Sequence, residues 1–192
     1  QDAGRLGIAV IPPSVQTSFA HFETGENRIY YALAAIKGVG EAAVQHIVEV
    51  RGTAPFKSLE DFCTRIDPKF VNRRVFESLI IAGAFDCFGH DRAAMIAGLD
   101  RLLGAAQRAQ ENKTSGQGDI FGMGAATGPE VITLPSYTPW LASEKLHREF
   151  QVLGFFLSAH PLDTYAPILS KMRVQTFADF AVAVKRGATA GR

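Results

Sequence analysis

The stretch Leu33-Ala-Ala-Ile36-Lys37-Gly38-Val39-Gly40-Glu41-Ala-Ala-Val44 carries the reading of the fold. A short helix ends at Ile36. Gly38 follows, and a residue without a Cβ enters the left-handed backbone region at little cost, which closes a helix. Val39 is placed to turn back as an apolar plug. Gly40 removes the side chain where the next helix starts. That helix start leaves N–H groups unsatisfied at the positive end of a dipole, and the two together favour an anion. Lys37 adds a nearby charge. A backbone phosphate of DNA fits such a turn, gripped by main-chain donors that do not read bases. The same spacing also suits a tight αα turn with no ligand.

A second, looser copy lies downstream. Gly83-Ala-Phe85-Asp86 joins two helical patterns, with Phe85 in the plug position and Gly89 near the next helix start. Arg73, Arg74 and Arg92 flank the two turns and are candidates for phosphate contacts. The same arginines equally suit a solvated helix face.

Periodicity extends the helices outward from these turns. Ala43, Val44, Ile47 and Val48 share one face of a helix from about Glu41 to Arg51, and Gly52 stops it. Ser58 is a good N-cap, with Asp61 three residues on, for a helix carrying Leu59, Phe62, Cys63 and Ile66 before Asp67-Pro68 breaks it. Val71, Val75, Phe76, Leu79 and Ile80 build the next helix, closed by Gly83. Asp91 caps a long helix with Met95, Ile96, Leu99, Leu102 and Leu103 inward, running to near Gln110. Before this block, residues 6–31 read as a small β-hairpin: Ile8 and Val10 alternate up to Pro12-Pro13, and Thr24-Gly25-Glu26-Asn27 is a turn signal ahead of Ile29, Tyr30 and Tyr31. After it, Gly116, Gly118, Gly122, Gly124 and Gly128, then Pro129, Pro135 and Pro139, mark residues 112–139 as a flexible linker. From Trp140 a last helical unit places Leu146, Phe150 and Leu153 on one face. Phe155–Leu157 then leads into the turn Ser158–Asp163, and a short segment around Phe177 and Phe180 comes last.

Composition narrows the function classes. The chain of 192 residues is 47% hydrophobic and 20% charged, with a net charge of +1. A packed core is expected, and any DNA binding must rest on localised contacts rather than on a strongly basic surface. Cys63 and Cys87 lack metal-ligand spacing and read as two buried thiols in a reducing cytoplasm. No run approaches the ~18 apolar residues of a membrane span. His21, His46, His90, His147 and His160 are scattered and form no zinc motif, and His160 before Pro161 reads as a turn-packing residue. No Walker loop or G-x-S-x-G occurs, and no carboxylate pair suited to two-metal chemistry is evident, so catalytic, metal and cofactor residues are all expected to be none. Neither end carries a start signal or a closing element, so the chain reads as a piece of a longer one.

Several runs then point to one family. Ile29-Tyr-Tyr-Ala-Leu-Ala-Ala-Ile-Lys-Gly-Val-Gly40, Phe56-Lys-Ser-Leu-Glu-Asp-Phe-Cys63, Asn72-Arg-Arg-Val75, Ala82-Gly-Ala-Phe-Asp86 and Leu157-Ser-Ala-His-Pro-Leu-Asp163 resemble, in order, the region after the fingers of bacterial DNA polymerase III alpha subunits. The resemblance runs from Gly4-Arg-Leu-Gly-Ile8 to Lys185-Arg-Gly187. One local departure is Gln16-Thr17-Ser18, where the family often has Asn before the Ser. The resemblance implies a mainly α chain in four parts. These are the end of the fingers with a small β segment (1–31), a tandem helix-hairpin-helix DNA-binding domain (32–111), a flexible linker with a clamp-binding peptide (112–139), and a helical segment leading toward an oligonucleotide-binding barrel (140–192).

It further implies that Lys37, Gly38, Val39, Gly40, Arg73, Arg74 and Arg92 serve DNA binding. Gln117, Asp119, Ile120 and Phe121, in the run Gln117-Gly-Asp-Ile-Phe121, would dock on the sliding clamp. The implied partners are double-stranded primer-template DNA, the beta sliding clamp and other polymerase III holoenzyme subunits. The catalytic aspartates and their Mg²⁺ would lie upstream, in the parent polymerase. Two alternatives stand beside this reading: a helix-hairpin-helix module of a repair or recombination protein, and an error-prone paralogue of the alpha subunit. The order of the runs and the Gln117–Phe121 peptide favour the replicative enzyme.

Overall fold

A computed structural model describes residues 6–52, 54–115, 131–172, 174 and 177–185. The chain divides into two compact units, Gln1–Ser158 and Ala159–Arg192.

The first unit opens with a three-stranded sheet. β2 (Glu23–Gly25) and β3 (Arg28–Tyr30) form the expected hairpin, paired from Glu23↔Tyr30 to Gly25↔Arg28. Asn27 turns the chain at φ 52°, a conformation Asn tolerates better than most side chains. β1 (Ala9–Ile11) joins on the other side of β3, parallel to it, so the order is β1-β3-β2. Pro12-Pro13 then ends the pairing, as expected of residues that cannot donate to a ladder.

Helices follow the periodicity closely. α1 spans Glu41–Arg51, α2 Leu59–Arg65 and α3 Arg73–Ala82. The Ser58 hydroxyl accepts from the Asp61 N–H at 3.2 Å, and Asn72 caps α3 by accepting from Val75 N–H at 3.1 Å. Each cap satisfies an N–H that the helix itself leaves unpaired. Gly83 closes α3 in the left-handed region, φ 84°. Phe62, Phe76 and Phe85 are wholly buried in the core, with Phe56 edge-on to Phe62 at 4.9 Å. His46 pins α1 to the turn before α3. It accepts from Asp67 N–H at 2.8 Å and stacks on Phe70 at 4.8 Å. Burial lowers its pKa, Asp67 and Glu49 pull it back up, and Lys113 adds to the lowering.

The structure corrects the long helix expected from Asp91. The Asp91 carboxylate does cap a helix start, accepting from Ala93 N–H at 2.7 Å. The helix breaks at Gly98, however, into α4 (Arg92–Ala97) and α5 (Leu99–Ser115). A crossing segment lies against the break. A Cβ on Gly98 would lie 2.7 Å from Leu134 and 3.0 Å from Pro135.

The described ends of the segment expected as a linker, 112–115 and 131–135, lie on the folded body, and residues 116–130 lie outside the described residues. Residues 112–115 are the last turn of α5, tied down by Lys113 Nζ donating to Thr64 O at 2.8 Å. Residues 131–135 lie on the same helices. The Ile132 N–H donates to the Glu60 carboxylate, Thr133 O accepts from Arg101 at 2.7 Å, and Ile132 and Leu134 pack against the core.

α6 (Ala142–Leu153) packs on α3, so the boundary expected at residue 140 falls inside the first unit. Trp140 stacks under the Arg148 guanidinium at 4.4 Å.

The second unit holds a 3-10 turn (Asp163–Tyr165), α7 (Ala166–Lys171) and α8 (Phe177–Lys185). His160 organises its entry turn as expected, its Nδ1 accepting from Leu162 N–H at 3.2 Å. Cys63 is buried, where loss of hydration and the nearby Glu60 charge push its thiol up to about 12. Cys87 is exposed, against the expectation that both thiols are buried.

Candidate nucleic-acid interface

The Lys37–Gly40 turn has the geometry its sequence implied. A 3-10 turn, Leu33–Ala35, replaces the expected short helix and ends at Ile36. Gly38 sits at φ 91°, closed to ordinary side chains. A Cβ there would also lie 2.8 Å from Ser78 Oγ and 3.2 Å from Arg74 Nε. Val39 is the buried plug, its N–H donating to Ile36 O at 3.0 Å.

Gly40 N-caps α1 from extended backbone, and its own Cβ position faces open space. Ala43 and Val44 N–H groups return to Gly40 O. Among the described residues, no acceptor meets the N–H groups of Gly38, Gly40, Glu41 or Ala42. They stand at the positive end of an eleven-residue helix, with exposed Lys37 and Arg74 beside the turn. The Lys37 N–H points the other way and donates to Val152 O of α6 at 2.9 Å.

The three arginines separate by environment. Arg74 leans over Gly38 and joins the turn. Arg73 is exposed and ion-paired with Asp100 of α5. Arg92 is a correction. It is buried and donates to Asp86 at 2.5 Å and 2.8 Å, to Ile81 O at 2.9 Å and to Glu149 at 3.2 Å. A guanidinium with its donors committed in this way has no face left for DNA. Its job is to join the second hairpin to α6. Phe85 does fill the plug position there, wholly buried, but the 3-10 turn Asp86–Phe88 separates it from α4, so this copy is longer than the first. Gln117, Asp119, Ile120 and Phe121 lie outside the described residues.

Residues 7–95 match the helix-hairpin-helix motif family. The chain is 38% identical over 193 residues to the DNA polymerase III subunit alpha of Caulobacter vibrioides, covering 100% of this chain. The chain belongs to the DNA polymerase III alpha-subunit family. The alpha subunit of Vibrio cholerae is 40% identical over 86% of the chain, and that of Escherichia coli K12 is 39% identical over 84%. The chain spans only 17%, 15% and 14% of the length of these three alpha subunits.

Against this alpha-subunit segment, two residues stand out as missed by periodicity alone. Glu149 is almost wholly enclosed, at 1% exposure, and takes Arg92 on one oxygen and the Leu157 and Ser158 N–H groups on the other, at 3.1 and 2.9 Å. Its signal was available: a carboxylate on the apolar stripe of Leu146, Phe150 and Leu153 demands a buried partner. Ser78, buried on α3 behind Gly38, carried no such signal. Among the described residues no helix is long and apolar enough to cross a membrane, and no cluster of metal-ligating side chains occurs.

Proposed function

We propose that this segment belongs to a replicative DNA-directed DNA polymerase of the bacterial cytoplasm, where it holds primer-template duplex by the backbone and helps tether the enzyme to the sliding clamp. The observation that carries the grip is the set of N–H groups at Gly38, Gly40, Glu41 and Ala42 that meet no acceptor among the described residues, with Lys37 and Arg74 beside them. Such donors hold phosphate oxygens and leave base edges unread, so binding is independent of sequence. Chemistry would remain with the parent protein's own catalytic carboxylates and Mg²⁺.

Gly40→Val is the cleanest test. Gly40 has ordinary φ and ψ of −82° and 154° and open space at its Cβ, so the variant should fold normally while its side chain crowds the donors. Fluorescence anisotropy should report roughly tenfold weaker binding for all duplex sequences alike. The salt slope should be shallow, on the order of two to four phosphates. Unchanged affinity in a folded Gly40→Val chain would remove the hairpin from the interface.

The tether rests on Gln117-Gly-Asp-Ile-Phe121. An adjacent Ile-Phe pair preceded by Gln suits a short peptide that buries two apolar side chains and orients itself through an amide. Calorimetry against a sliding clamp should show Phe121→Ala costing roughly 2 kcal/mol or more, since buried aromatic anchors dominate interfaces. Gln117→Ala should cost about 1 kcal/mol, because its hydrogen bonds replace ones made with water. Tight clamp binding by a folded Phe121→Ala chain would place the tether elsewhere.

A further inference from the structure

An open cleft of about 820 Å³ adjoins the Lys37-Gly38 turn, between α3 and the C-terminal half of α6. Lys37, Arg74 and Ser78 line one side, and His147 and Gln151 line the other. The two α6 side chains meet at 3.1 Å between their Nε2 atoms. Ser78 is only 8% exposed. Its hydroxyl makes no hydrogen bond among the described residues, yet no polar atom there is both sealed from solvent and unpartnered, so the hydroxyl opens into the cleft. Among the described residues, no carboxylate lines the space.

The carbonyl end of α6, like that of any helix, carries partial negative charge, which disfavours an anion. Two of its acceptors are already engaged: Val152 O by the Lys37 N–H at 2.9 Å, and Phe150 O by the Gly154 N–H at 2.8 Å. What remains is a concave site with two cations, Lys37 and Arg74, and three further hydrogen-bonding side chains, Ser78, His147 and Gln151.

We infer that this cleft takes a second backbone phosphate of the duplex, next to the one assigned to the α1 N–H groups. Arg74 and Lys37 supply the charge, and Ser78, His147 and Gln151 the directed hydrogen bonds. The inference rests on the backbone-grip reading above and deepens it by making α6, far downstream in sequence, part of the DNA surface.

The test uses the full 192-residue chain, a labelled duplex and anisotropy. His147→Ala/Gln151→Ala alters two exposed side chains, so folding should survive, as circular dichroism will confirm. The double variant should bind every duplex sequence roughly tenfold more weakly, the effect of losing a hydrogen bond to a charged group. Gln151→Ala alone should weaken binding with an unchanged salt slope, because an amide releases no counterion. Arg74→Ala should lower the slope by about 0.9. Combined with Gly40→Val, the α6 changes should weaken binding further than either alone, short of the full product because both sites share Lys37 and Arg74.

If Gly40→Val weakens binding and His147→Ala/Gln151→Ala does not, the inference fails and the hairpin reading stands. If only the α6 variant weakens it, the hairpin reading fails and the cleft is the grip. Inorganic phosphate, compared with chloride at matched ionic strength, separates a free-anion site from a duplex site. Phosphate that binds the parent chain but not the α6 variant, and leaves duplex binding by the parent chain unchanged, would overturn the assignment to DNA.

Discussion

Replacing Glu149 with Ala should cost about 3–5 kcal/mol in urea denaturation, the usual range for removing one partner of a buried ion pair. The variant leaves the Leu157 and Ser158 N–H groups without their acceptor and takes from Arg92 its link to α6. Asp86 still holds Arg92, which keeps the cost from rising further. Glu149→Gln should fall between parent and Ala, since the amide retains the shape and one accepting oxygen. Paired replacement, Arg92→Met with Glu149→Met, should recover part of the loss, because apolar groups of similar volume remove the uncompensated charge. A Glu149→Ala chain within about 1 kcal/mol of the parent would show that the pair contributes nothing net.

Phe85→Ala should be comparably severe, about 3–5 kcal/mol, through the cavity it leaves. Its ring lies 4.9 Å from Phe62, 5.1 Å from Phe76 and 6.2 Å from Phe88 by centroid, and it is wholly buried. Deleting it removes partners from three rings at once, beyond the area lost. Phe85→Leu should cost less because it refills most of the space. The prediction is specific in a second way. The folded fraction of Phe85→Ala should still bind duplex normally, since the first hairpin does not use this residue. A midpoint shift matching that of a surface substitution would refute the cluster as the centre of the core.

Both changes bear on what the sequence could and could not reveal. The Lys37–Gly40 turn was legible because its determinants are local: a positive-φ glycine, a plug and an uncapped helix start lie within four consecutive positions. Caps at Ser58 and Asp91 and the stop at Gly83 were legible for the same reason. Arg92 was not, since its partner Glu149 lies 57 residues away. A charge beside a hairpin looks alike whether solvent or a distant carboxylate faces it. Gly98 carried a half-signal: a glycine inside an apolar helical pattern marks close approach. The approaching residues, Leu134 and Pro135, sit in a Gly/Pro-rich stretch whose composition suggested only looseness. Placement of α6 against α3 was likewise invisible to periodicity, which fixes an apolar face but not its neighbour.

The anchors on either side of residues 116–130 have a mechanical consequence. Lys113 fastens the end of α5 to the carbonyl of Thr64, and Ile132, Thr133 and Leu134 fasten the segment 131–135 to Glu60, Arg101 and the notch at Gly98. Both fastenings are on the same pair of helices, α2 and α5. A load applied between them is therefore divided across two attachments on one body and does not swing on a single hinge. Arg101→Ala should therefore loosen residues 131–135 from α5 while Lys113 still holds the end of that helix to Thr64.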